Sequence, residues 1–184
     1  MSTSLLPTGG AHSKIDFHMN EKNFASIRSV LKGSKLAQVV TYEGLASTFE
    51  MNSAASESDM EMVRKYFNYA LPPDYMSFLQ VFDGATFFKV QDIGGFSFLS
   101  CRELIAVNDF QKKNLGDEWR NDILFCECLG DGDYIGFRIL DNNSYLILDC
   151  FSEEVPDEWS DIHQSFDSFL QLLIESKGEK FWLR

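Results

Sequence analysis

Two adjacent prolines constrain this chain more than any other feature. The run Leu71-Pro72-Pro73-Asp74-Tyr75 stands between two stretches whose apolar residues recur at helical spacing. Upstream, Met60, Val63 and Phe67 form one stripe. A proline ring removes a backbone donor, clashes with the preceding turn and drives the residue before it out of helical geometry, so the first helix is predicted to stop at about Tyr69. The same prolines suit the first turn of a new helix, and Asp74 there complements the positive end of the helix dipole. Tyr75, Phe78, Leu79 and Phe82 fall at i, i+3, i+4 and i+7 on one face, and Gly84 is the expected left-handed stop. A helix pair with a stiff corner follows.

The remaining patterns predict an antiparallel sheet with helices around it. Ser58-Asp59-Met60-Glu61 and Ser100-Cys101-Arg102-Glu103 both read as capping boxes, the second opening a helix through Leu104, Val107 and Phe110. The polar residues 111–120 read as loop. Residues 86–90 and 96–99 are aromatic and β-prone, with Gly94-Gly95 as a breaker between them, which predicts a hairpin. Residues 123–128, 134–140 and 145–151 predict three strands joined by the turns Gly130-Asp131-Gly132-Asp133 and Asp141-Asn142-Asn143, hence a meander. Phe166, Phe169, Leu170 and Leu173 mark a closing helix that ends near Gly178. Nearer the start, Phe24, Ile27 and Leu31 between Asn20 and Gly33 predict a short helix, residues 36–42 a short strand and residues 52–58 a loop. Residues 1–19 hold little to bury and are expected to be a flexible tail. Residues 20–184 then form a single α+β domain, an antiparallel β-sheet flanked by helices.

Charge narrows the function. The chain has 16 basic and 28 acidic side chains, a net charge of -12, and no stripe of Lys and Arg such as phosphate backbones require, so nucleic acid is not an expected partner. An acidic field steers basic proteins toward it. Residues 1–12 lack the basic start and apolar stretch of a signal peptide, no apolar run reaches the roughly 20 residues of a membrane span, and the four cysteines fit no short secreted framework. A soluble cytoplasmic protein, monomeric or weakly dimeric, is expected.

A search for chemistry is largely negative. Of the three histidines only His163 is expected within structure, and it needs a nucleophile such as Cys126 or Cys150 beside it to act. Cys101, Cys126, Cys128 and Cys150 lack the CxxC knuckle of a zinc site and suit a core as small hydrophobes. Gly130-Asp131-Gly132-Asp133 fails as a phosphate loop because no helix follows, and as a calcium loop because Ile135 takes a ligand position. No cofactor, metal or enzymatic activity is expected. The surface candidate is Glu153, Glu154, Asp157, Glu158, Trp159 and Asp161, where one Trp ringed by carboxylates has the composition of an interface anchor. The competing reading packs Trp159 onto the sheet and leaves the acids merely solvated.

The run from Leu71, Pro72, Asp74 and Tyr75 through Phe78, Leu79, Asp83 and Gly84 resembles the signature helix of the SUKH superfamily, the fungal cell-wall synthesis regulators and their bacterial toxin-immunity relatives. Asp83 stands where the family pattern has Asn. Downstream, Phe98-Leu99-Ser100 with Glu103-Leu104-Ile105 and Asn108, then Gly132, Asp133 and Tyr134, then Phe166, Asp167 and Phe169, resemble further family motifs, so that the likeness covers residues 56–174. The resemblance implies a binding domain rather than an enzyme. It implies most directly an immunity protein that neutralises a cognate, basic, nuclease-type toxin. The alternatives are an intracellular scaffold of the cell-wall-regulator type, or a protein with an unrecognised enzymatic pocket.

Overall fold

In a computed structural model the three strands expected of the meander become part of an eight-stranded antiparallel sheet whose spatial order follows the chain. The structure describes residues 39–184, apart from 69, 92, 121, 142 and 143. The expected tail over residues 1–19 and helix over 20–33 lie outside the described residues. Strands β1 (Val39–Val40) and β2 (Ala46–Met51) precede helices α1 (Glu57–Tyr66) and α2 (Pro73–Leu79). Strands β3 (Ala85–Val90) and β4 (Gly94–Phe98) lead to helix α3 (Cys101–Leu115). Then come β5 (Asp122–Leu129), β6 (Asp133–Ile139), β7 (Tyr145–Cys150), β8 (Ser160–Asp161) and helix α4 (Phe166–Glu175). Of the strand expected over residues 36–42, residues 39–42 are described, and only Val39–Val40 of them are strand.

The proline corner forms as its residues require. Pro72 is extended at φ -56 and ψ 135, and α2 opens at Pro73. Tyr75, Phe78 and Leu79 are wholly buried. Their rings join those of the sheet and of α4: Phe125 stacks on Phe137 at 4.1 Å, and Tyr75 meets Phe166 edge-on at 5.1 Å and Phe137 at 5.4 Å. Asp74 does more than face a dipole. Its Oδ2 accepts from the Tyr145 hydroxyl at 2.6 Å, and that hydroxyl oxygen accepts from the Phe166 amide at 2.9 Å. One phenol on β7 thus joins the start of α2 to the first amide of α4. Burial, with the Asp74 carboxylate behind it, holds that phenol above its usual pKa.

Asp83 and Gly84 hold the next joint. Asp83 Oδ1 accepts from the Cys101 amide at 2.7 Å, satisfying a donor that the first turn of α3 leaves open. Gly84 is left-handed at φ +84, but not as the stop of α2, which already ends at Leu79. A Cβ at Gly84 would lie 2.8 Å from the Ser100 backbone nitrogen, so the glycine serves the close approach of β3 to the start of α3.

Four further expectations are corrected. The cap of α1 is Ser56, whose Oγ accepts from the Asp59 amide at 3.1 Å, so the Ser58-to-Glu61 box is not used. Helix α1 ends at Tyr66 rather than Tyr69, three residues earlier than the prolines alone demand, because the chain turns at Phe67 and Asn68, the latter at φ 50. Residues 111–115 belong to α3, not to a loop: an Asp109–Lys113 pair spans one turn, and Lys112 and Lys113 sit against the negative end of the helix dipole. Finally, Gly94 and Gly95 are the first residues of β4, and the reversal falls just before them. The box at Ser100 forms as expected, with the Ser100 amide donating to Glu103 Oε2 at 2.9 Å.

Asn108 ties α3 to the sheet. Its amide nitrogen donates to the Leu104 and Leu124 carbonyls and its oxygen accepts from the Leu124 amide, each at 2.8 Å. In β3 a register shift between Phe87 and Val90 places Phe88 at φ 52, and both Phe87 and Phe88 are buried as a result. The ring of Phe88 lies on Gly178, where a Cβ would come within 2.6 Å of it.

Tyr145→Phe strips the acceptor from the Phe166 amide and the donor from Asp74, and is expected to cost about 1–3 kcal/mol in urea unfolding. Phe110→Ala, at an exposed position on α3, should change the same measurement by less than about 0.5 kcal/mol.

Candidate functional site

The candidate residues occupy the connection from β7 to β8, except Asp161, which lies in β8, and three anchors fix that connection to the outer face of the sheet. Pro156 is buried and its carbonyl accepts from Arg138 at 2.6 Å, while Arg138 also donates twice to the buried Asp122, at 2.8 and 3.0 Å. Asp157 accepts two hydrogen bonds from Arg120, one of them at 2.8 Å, and the guanidinium holds its carboxyl below the usual carboxylate value. Trp159 is half-buried against Leu124, Leu148 and Cys150, edge-on to Trp119 at 6.4 Å, and its indole N–H donates to the Glu154 carbonyl at 3.3 Å.

The six candidates therefore divide. Glu153, Glu154 and Glu158 are exposed and make no ion pair among the described residues. Asp157 is exposed but engaged by Arg120. Trp159 packs on the sheet, with one edge left to solvent. Asp161 is half-buried, with Oδ1 accepting from the His163 amide at 2.7 Å and Oδ2 lying 2.9 Å from His163 Nδ1. The result is a rigid base with three outward carboxylates.

The residues that resemble family motifs are structural. Leu71, Pro72, Phe166 and Phe169 are buried, and Asp74, Tyr75, Phe78, Leu79, Asp83 and Gly84 make the joints described above. Gly132 turns the chain at φ 80. Asp133 is buried at the start of β6, where Oδ1 accepts from the Ser152 amide at 2.9 Å and Oδ2 binds Lys180 at 2.9 Å. Burial works to raise the Asp133 carboxyl, but the Ser152 amide and Lys180 outweigh it and hold it low. Lys180 reaches Asp131 as well, at 2.7 Å, and so straps the segment after α4 onto the β5–β6 turn.

No catalytic constellation forms around the residues singled out for one. His163 lies exposed, at φ 57, with its Nδ1 2.9 Å from Asp161 Oδ2. All four thiols are buried, which pushes Cys101 and Cys128 up to about 12 and Cys126 and Cys150 well above their usual value, so none is poised as a thiolate. Cys150 sits on the outer face of the sheet with Leu124 and Leu148, while Cys126 and Cys128 join the main core. Among the described residues no three His, Cys, Asp or Glu side chains are placed to hold a metal ion, and no helix is long and apolar enough to cross a membrane.

Two surface grooves have no counterpart in the sequence reading. One, of about 1030 Å³, runs between the end of α3 and the end of β6, lined among others by Tyr66, Lys112, Trp119, Arg120 and Leu140. The other, of about 430 Å³, lies between the β1–β2 turn, the β3–β4 turn and the segment after α4. Each is assembled from segments far apart in the chain, and only their aromatic content hints at them.

Trp159→Ala is expected to cost about 2 kcal/mol, half the loss of a fully buried aromatic, while Glu153→Gln and Glu154→Gln leave the urea midpoint unchanged. Because Asp133 is depressed in the folded state, its contribution is present above the unfolded carboxylate value of about 3.9 and is lost as the pH falls through the lower, folded value. Urea midpoints should therefore drop below about pH 4 in the native chain, and Lys180→Met should flatten that drop.

No curated protein matches the sequence. The sequence profile of the SMI1 / KNR4 family (SUKH-1) does match, over residues 54–172, a span that runs from just ahead of α1 into α4, and the chain belongs to that family.

Proposed function

We propose that this protein binds another protein and acts as an immunity protein, neutralising a basic, nuclease-type toxin. Family membership supports a non-enzymatic domain of this kind. The observation that carries the reading is the distribution of charge. The 38 residues before Val39 hold five basic and two acidic side chains, so the net charge of -12 deepens to -15 over residues 39–184. On that body the β7–β8 connection presents Glu153, Glu154 and Glu158 from a base held by Arg120, Arg138 and Trp159.

Rigid presentation matters because association loses free energy for every side chain and loop it must order, and a loop already anchored loses less. Unpaired carboxylates on the outer surface act at range, raising the rate of encounter with a basic partner more than they slow its departure. Salt shortens that range to about 8–10 Å at ordinary ionic strength, so the complex should form more slowly as salt rises.

Co-expression with a toxin-like reading frame encoded beside this one should restore growth and yield a stoichiometric complex. The E153K/E154K/E158K triple variant should keep the native unfolding midpoint while its association rate falls at least about tenfold, with a weaker salt dependence. Absence of both rescue and complex would overturn the reading.

A further inference from the structure

Four of the exposed apolar side chains gather at one place. Tyr42 (52% exposed), Leu45, Ile93 (60%) and Leu183 (68%) all border the groove of about 430 Å³ between the β1–β2 turn, the β3–β4 turn and the chain after α4. Its floor includes the buried Phe88, Phe96 and Cys128. At its rim stand the Asp131–Lys180 and Glu179–Arg184 ion pairs and the further carboxylate of Glu43, three negative charges against two positive. A contiguous apolar patch with a polar rim marks a surface that something covers.

The occupant must bring apolar side chains on one face and positive charge beside them. The chain itself carries such a segment a few residues ahead of β1. In residues 20–33, Phe24, Ile27 and Leu31 fall on one helical face, and Arg28 and Lys32, each one residue further on, lie about 100° round from Ile27 and Leu31. Lys22 and Lys35 add to the charge, and residues 1–38 together carry +3 against -15 for the body they join. That segment lies outside the described residues, so its helical reading rests on sequence spacing. Its connection does not: β1 begins at Val39, and Thr41 and Tyr42 already line the groove. The five residues 34–38 can span at most roughly 17 Å, enough to bring Leu31 over the groove and short enough to hold it near.

We propose that residues 20–33 dock in cis on this groove, with Phe24, Ile27 and Leu31 covering Tyr42, Leu45, Ile93 and Leu183, and with Arg28 and Lys32 facing the carboxylates of the rim. The short tether decides between this occupant and a free partner of the same chemistry. A segment held by a few residues is present at an effective concentration on the order of millimolar, which a separate protein at micromolar concentration does not match. Docking of this segment is independent of the β7–β8 connection and of any toxin.

The test uses the full chain. The native thiols are buried and stay protonated, so two introduced cysteines react selectively with a short bis-maleimide. In the F24C/I93C variant at submicromolar concentration, a link within one chain is expected in most molecules. F24C/F110C, whose second site on α3 borders no part of the groove, should give little. Amide exchange over residues 24–31 should be slowed at least about tenfold in the native chain, and Ile93→Asp, at an exposed position that leaves the core intact, should abolish that slowing. Links only between chains would assign the groove to a second copy. No link, with fast exchange unaffected by Ile93→Asp, would leave it to a separate partner. Either result overturns the proposal.

Discussion

The Tyr145 hydroxyl is the point on which the packing of this protein turns. It donates to Asp74 and accepts from the Phe166 amide, so a single half-buried oxygen links the helix that follows the prolines to the start of α4. Between those two helix starts lie Tyr75, Phe125, Phe137 and Phe166, whose rings meet at 4.1–6.1 Å. Rings in edge-to-face contact tolerate little sliding before the contact is lost. A polar link at the edge of such a cluster fixes its register in a way that apolar packing alone leaves loose. The prolines start α2 at one residue, Asp74 follows immediately, and Tyr145 reads that placement from across the sheet.

The carboxylates consequently fall into two sets, those with fixed internal partners and those without. Asp83, Asp122 and Asp133 are polar residues with fixed internal partners, the Cys101 amide, Arg138 and Lys180. Such groups cannot change without leaving a buried donor or cation unsatisfied. Glu153, Glu154 and Glu158 have no such obligations. The outer face of the sheet under them is covered by a second, small cluster of Leu124, Leu148 and Cys150 with Trp119 and Trp159, so the loop that carries them rests on its own support and not on the main core.

Much of the fold was legible in the sequence because its signals are local. The box at Ser100, the stop before Pro72, the turn at Gly132 and the alternation in β5 to β7 each depend on a few neighbouring residues. The errors have physical causes. Ser56 and Ser58 both stand at the start of α1, and which one caps is settled by whether its side chain meets the amide three residues on, as Ser56 does with Asp59. The last turn of α3 looks like loop because its exposed residues are polar, and what holds it is the Asp109–Lys113 pair, with Lys112 and Lys113 at the negative end of the helix dipole. Strand β2, ASTFEM, escaped notice because it mixes small and charged residues and gains its place by pairing with β3. For the candidate surface, the acidic composition was readable, but not that Arg120 and Arg138 would hold Asp157 and Pro156. Grooves built from positions near 42, 93, 131 and 183 cannot be seen by any pattern confined to a window.

The order of the sheet has a kinetic consequence. Every strand is hydrogen-bonded to the one before it in the chain, so no pairing waits for a distant segment, and even the longest insertion, α1 with α2, returns β3 directly to β2. Loop closure therefore stays inexpensive at each step. On a ribosome releasing the chain from its N-terminal end, each strand meets its template as it emerges, and the sheet can grow in one direction while synthesis continues. Helix α4, with Phe166 as its first residue, must arrive before the aromatic cluster is complete, so the helix that follows all eight strands is the one that locks them.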